Sequence, residues 1–163
     1  MENNDIDIQE ILKNAKNDTT LFSTIDIDRL LKCIELKKNE YLENKTIQDI
    51  IDENFEVIVS LGATKDETKI LCDKLAEYRT IDKICDLHLG KHVRWIRRDK
   101  KPVKLTNGGI VMDIKFMDSG IGILVKNNMN NFIQYKFDEC VTFQKLSTDE
   151  QLILMAYEYM LKK

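Results

Sequence analysis

Residues 92–146, HVRWIRRDKKPVKLTNGGIVMDIKFMDSGIGILVKNNMNNFIQYKFDECVTFQKL, decide how this chain folds. With Gly90 just before it, the stretch holds the only Trp, the only Pro and five of the six Gly in 163 residues. Short apolar runs alternate with Gly, Asn and Asp turns, and the apolar period is two, as on a strand. Over 109–117 this alternation predicts Ile110, Met112, Ile114 and Phe116 on one face and Val111, Asp113 and Lys115 on the other. Asp118-Ser119-Gly120 is a hairpin turn into a run where Ile121, Ile123 and Val125 share a face. Asn127 to Asn131 makes the next turn, after which Ile133, Tyr135 and Phe137 align. Phe137 to Cys140 reads as a one-turn corner before Val141-Thr142-Phe143. Counted from His92, five short strands with close hairpins predict a closed antiparallel barrel, an architecture that removes most free strand edges.

Outward from this stretch the apolar period becomes helical. Helices are predicted over Ile6 to Ala15, then from Ser23 or Thr24 to about Asn44. Thr46 and Asp49 have capping-box spacing for a third helix that ends at Gly62 and is interrupted near Asn54. A fourth starts at Thr64 with Ile70, Leu71, Leu75 and Tyr78 on one side, and a short fifth covers Thr80 to Leu87. Ser147 and Glu150 repeat the capping-box spacing before a last helix, with Leu152, Ile153, Met155, Ala156, Tyr159 and Met160 as its apolar stripe. The expected fold is α+β: a helical domain over 1–89, a five-stranded barrel over 90–146, and a helix over 147–163 packing back on the body.

The chain is 43% hydrophobic and 33% charged, the balance of a globular protein. No apolar run reaches the roughly 20 residues that cross a bilayer, and the acidic start MENNDIDIQE is unlike a secretory or transit peptide. A cytoplasmic location and no membrane partner are therefore expected. The net charge of −3 conceals an asymmetry: residues 1–60 carry 14 acidic and 7 basic groups, whereas residues 91–105 carry 7 basic groups against Asp99 alone. That basic run is the leading functional feature.

The order of elements, from HVRWIRR through the hairpin IVMDIKF-MDSG-IGILVKN to NFIQYKF, the corner FDEC and VTFQK, resembles SH3-like small barrels of the Tudor and KOW type. It is also similar to barrel modules that recur in proteins of nucleocytoplasmic large DNA viruses. The Asn-, Ile-, Lys- and Asp-rich composition fits an AT-rich genome of that kind. The resemblance covers about a third of the chain and implies a viral protein acting in the host cytoplasm or a viral factory, or packaged in the virion. Tudor barrels hold methylated side chains in a cage of aromatic rings by cation–π attraction. With Phe116, Tyr135 and Phe137 expected in the core, Trp95 and Phe132 remain as spare rings, too few for such a cage.

The candidate binding residues are Lys91, Arg94, Trp95, Arg97, Arg98, Lys100, Lys101, Lys104 and Phe132. Cations around one stacking ring are the ingredients of single-strand or RNA binding, so RNA is favoured over duplex DNA as a nucleic-acid ligand. The same run equally fits docking on an acidic protein surface, including another copy of the chain, or an edge strand guarded by charge. Cys72, Cys85, His88 and His92 lack the close cysteine pair usual in zinc sites, and no metal or other cofactor is expected. No nucleophile–base set or phosphate-loop motif stands out, so the chain is not read as an enzyme. The expected function is that of an interaction, adaptor or structural protein acting through the barrel and its basic strand. The alternative is RNA or DNA binding in viral gene expression or genome packaging.

Overall fold

The computed structural model describes Leu42 and residues 45–161. The two helices expected before Asn44 lie outside the described residues. In chain order the elements are α1 (Ile47–Ser60), α2 (Lys65–Lys74), β1 (Tyr78–Ile81), β2 (His92–Arg97), β3 (Gly109–Met117), β4 (Gly120–Lys126), β5 (Phe132–Lys136), β6 (Cys140–Lys145) and α3 (Thr148–Leu161). Short 3-10 turns occupy Ile84–Asp86 and Phe137–Glu139, the latter being the corner expected from the sequence. The chain divides into two compact units, Ile50–Leu146 and a second formed by Met1–Asp49 with Ser147–Lys163.

The larger unit is built on one antiparallel six-stranded sheet in the order β1-β6-β2-β3-β4-β5. Two expectations are corrected. The sheet has six strands where five were read, because Tyr78–Ile81, expected at the junction of two helices, is a strand paired with β6 from Tyr78↔Lys145 to Ile81↔Thr142. It is also an open ladder with β1 and β5 at its edges, where a closed barrel was expected. The ladder is nonetheless strongly curled. β2 and β5 are three strand spacings apart, about 14 Å in a flat sheet. The Trp95 and Tyr135 rings that they carry nevertheless stack at 4.1 Å between centroids and 13° between planes.

That curl makes one core on the concave side, from Ile81, Leu87, Val93, Trp95, Val111, Ile123, Val125, Tyr135 and Cys140. On the other face of β2 and β6, Ile96, Val141 and Phe143 pack against Ile58 of α1 and Leu71 and Leu75 of α2. Of four rings, two change roles relative to expectation, one keeps its role in part and one keeps it fully. Trp95, read as spare, is 5% exposed, whereas Phe116, read as core, is 74% exposed. Tyr135 is buried as expected and Phe137 is half-buried.

A β-bulge explains the error on β3. Val111 pairs with Val125 and Asp113 with Leu124, so Met112 is an extra residue and the inward parity shifts there. Val111 is therefore buried, while Ile110 and Met112, read as core-facing, are 38% and 46% exposed. Beyond the bulge Ile114 and Phe116 sit opposite Ile123 and Ile121, on the core face. β2 pairs with β3 only through His92↔Ile110 and Val93↔Gly109, so nothing from β2 reaches Phe116 at the far end.

Asn54 does not interrupt α1. It is 3% exposed, and its side chain closes the outer edge of β1 as a neighbouring strand would. Its Nδ2 donates to the Tyr78 carbonyl at 2.9 Å, and its Oδ1 accepts from Thr80 N–H at 3.1 Å and Thr80 Oγ1 at 2.7 Å. In α2 the reciprocal Thr64–Glu67 capping box forms, Leu71 and Leu75 are buried, and Ile70 is 55% exposed.

Within the second unit, the capping boxes expected at Thr46 and Ser147 are both present. Asp49 N–H donates to Thr46 Oγ1 at 3.1 Å and Thr46 N–H to Asp49 Oδ2 at 2.9 Å. Glu150 N–H donates to Ser147 Oγ at 3.1 Å and Ser147 N–H to Glu150 Oε1 at 3.0 Å. α3 buries Ile153, Leu154, Ala156, Tyr157 and Met160. No helix among the described residues is long and apolar enough to cross a membrane.

Candidate partner-binding surface

The basic run is not one patch. The backbone of β2 alternates its side chains between two faces, and the chain after Arg97 folds back on the strand. Thr106 N–H donates to the Trp95 carbonyl at 3.1 Å and Trp95 N–H donates to Thr106 Oγ1 at 3.1 Å. Gly108 makes this approach sterically feasible: its φ is +75°, and a Cβ there would lie 1.8 Å from the Val93 carbonyl oxygen.

Each cation then has its own fate. The half-buried Arg94 donates through Nε to the Thr106 carbonyl at 2.8 Å. Arg97 is shared between Asp99, at 3.5 Å, and Glu139, at 3.8 Å, and Glu139 also faces Lys136 at 3.9 Å. Lys101 Nζ donates to the carbonyl of Leu61 at the end of α1, where a positive charge suits the helix dipole. Lys91 is half-buried, and its carbonyl accepts from Val111 N–H at 2.9 Å. Arg97, Arg98, Lys100, Lys101 and Lys104 are all exposed, and of these Arg98, Lys100 and Lys104 have no side-chain acceptor among the described residues. Arg98 lines a cleft of about 290 Å³ with Ser60, Thr80, Asp82, Asp138 and Cys140.

The two rings separate as well. Trp95 is sandwiched into the core on Tyr135, whose hydroxyl hydrogen-bonds Thr142 at 2.9 Å. Burial raises the Tyr135 pKa far above its usual range. Phe132 is 60% exposed at the start of β5, with Lys126 Nζ 5.9 Å from its ring centroid. Lys136, at the other end of β5, shares Glu139 with Arg97. Four residue steps of strand, about 13 Å, therefore separate Phe132 from the Arg97 cluster.

A second cavity, of about 560 Å³, reaches Ile133 of β5. Its lining includes His92, Trp95, Thr106, Asn107, Asn128 and Met129, with no Asp, Glu, Lys or Arg. His92 Nδ1 is 2.9 Å from the Tyr78 hydroxyl. Burial, then Arg94 and Lys145, lowers the His92 pKa. Sequence reasoning missed this cavity because its walls join the loops at the paired ends of β3 and β4 to His92 and Trp95 of β2 and Ile133 of β5, residues far apart in the chain.

Cys72 lies on α2, Cys85 is exposed in the first 3-10 turn, and His92 is engaged with Tyr78. Among the described residues no group of three or more His, Cys, Asp or Glu is placed to hold a metal ion. Comparison with protein-family models, curated proteins and solved structures finds no match to the chain.

Proposed function

We propose that this chain is a non-catalytic interaction protein that docks on an acidic surface of another protein through Arg98, Lys100 and Lys104. The observation that carries the reading is the fate of Trp95. Single-strand binding uses an exposed ring beside phosphate-pairing cations. In this chain the ring is part of the core, and Arg94, Arg97 and Lys101 already have acceptors. Arg98, Lys100 and Lys104 remain as exposed point charges with no side-chain acceptor among the described residues, which fits charge-complementary protein docking. The SH3-like reading is supported by the order β2-β3-β4-β5 with β6 returning beside β2, and by the 3-10 corner before β6. The resemblance to large DNA virus modules would place such docking in a viral factory or particle, as adaptor or structural component.

The second reading, RNA or DNA binding, is favoured by the exposed Phe132 beside Lys126. Fluorescence anisotropy of labelled single-stranded RNA, single-stranded DNA and duplex DNA at two salt concentrations separates the two. Protein docking predicts at most weak binding, with a log–log salt slope no steeper than about −2 for three single-strand phosphate contacts. A slope of about −3 to −4, abolished by Arg97→Ala with Arg98→Ala, would overturn it in favour of nucleic acid.

A further inference from the structure

The two edges of the sheet are treated differently. β1 is closed by Asn54, which satisfies the Tyr78 carbonyl and the Thr80 N–H. β5 has no such guard: among the described residues no strand lies beyond it and no side chain bonds its outer backbone groups. Natural edge strands are usually protected by a charge, a proline or a bulge. β5 has none of these before Lys136. The nine residues from Asn127 to Tyr135 are uncharged in a chain that is 33% charged. All of Asn128–Gln134 is exposed, with Met129 at 75%, Phe132 at 60% and Ile133 at 38%.

We infer that β5 is a self-association edge, on which a second copy of the chain adds its own β5 antiparallel, with the two-fold axis at Gln134. That register is complementary in both apolarity and charge. It sets Ile133 opposite Tyr135 of the second copy on the concave side. On the convex side it sets Phe132 opposite the second copy's Lys136, repeating the Lys126–Phe132 cation–π contact already present within one copy. No like charges face each other across the axis. The pairing also closes: a joined sheet ends in β1 on both sides, each capped by its own Asn54, so addition stops at two copies. The inference stands on a different surface from the basic connection and does not depend on what that connection binds.

Sedimentation velocity of the full chain over a wide range of concentration tests it, together with Gln134→Lys and Gln134→Glu. The expected result is a concentration-dependent dimer for the wild-type chain. Each variant alone places like charges opposite each other and should weaken dimerisation about tenfold or more. An equimolar mixture of the two should dimerise again, which also shows that both variants are folded. A wild-type chain that stays monomeric, variants that dimerise as well as wild type, or a mixture that fails to recover would each overturn the proposal.

Discussion

Asn54 shows how much one side chain can decide. A polar residue inside an amphipathic helix reads locally as a defect, yet its amide supplies the donor and acceptor that an edge strand lacks. Replacing it with Ala leaves the Tyr78 carbonyl and Thr80 N–H short of partners. The expected loss is about 2–3 kcal/mol in urea unfolding, against about 0.5 kcal/mol or less for Glu56→Ala on the exposed side of α1. His92 gives a pH prediction. Its folded pKa is depressed by burial, then by Arg94 and Lys145, so the stability of the neutral ring is fully present above the unfolded value of about 6.5 and is lost as pH falls through the folded value. Unfolding midpoints should fall more for wild type than for His92→Gln between about pH 7 and about pH 5. Parallel curves would clear His92 of that role. Tyr135 acts on the alkaline side: its raised pKa means stability is intact below the ordinary tyrosine value of about 10 and declines as pH rises beyond it.

At the level of elements, the β2–β3 connection is the part whose geometry matters most. It lies against β2 through Thr106 and is tied to α1 by Lys101. Gly108→Ala puts a Cβ on the Val93 carbonyl at a positive φ, a double penalty expected to exceed about 3 kcal/mol, read as a collapsed denaturation midpoint. Lys101→Ala removes only a helix-end cation and should cost about 0.3–1 kcal/mol, with no change in oligonucleotide anisotropy. A large drop in nucleic-acid affinity for Lys101→Ala would mean that its contact with α1 opens in solution. The strand assignments also show where pattern reading stops. β4 was legible because Ile123 and Val125 are inward and no bulge interrupts it. β3 was misread from Ile110 to Met112, because the extra residue puts the strand before it out of phase with Ile114 and Phe116 beyond it.

For the whole molecule, the buried Trp95–Tyr135 stack makes a direct optical test of the proposed function. The lone Trp should emit as a buried indole, and saturating oligonucleotide should leave that emission unchanged; quenching on binding would restore Trp95 as a contact ring. Trp95→Ala is a poor probe of binding, since truncating a core Trp costs about 3–5 kcal/mol and loss of fold would imitate loss of function. The candidate site was legible in its composition but not in its assembly. The sequence marks nine residues as a basic and aromatic group, whereas the fold ties Arg94, Arg97 and Lys101 to internal acceptors, buries Trp95 and sets Phe132 a strand length from Arg97.

What the sequence determined by itself is local. Helix starts at Thr46, Thr64 and Ser147, the hairpin at Asp118–Gly120 and the corner at Phe137–Glu139 follow from side-chain–backbone hydrogen bonding and backbone preference over a few residues. Only the tertiary structure decided that Tyr78–Ile81 is a strand, because its partner lies over sixty residues away in β6. It also decided which rings are core and which cations are free. Those outcomes depend on how far the sheet curls, and curl is a property of all six strands together, set by twist, the bulge in β3 and the packing of Trp95 on Tyr135.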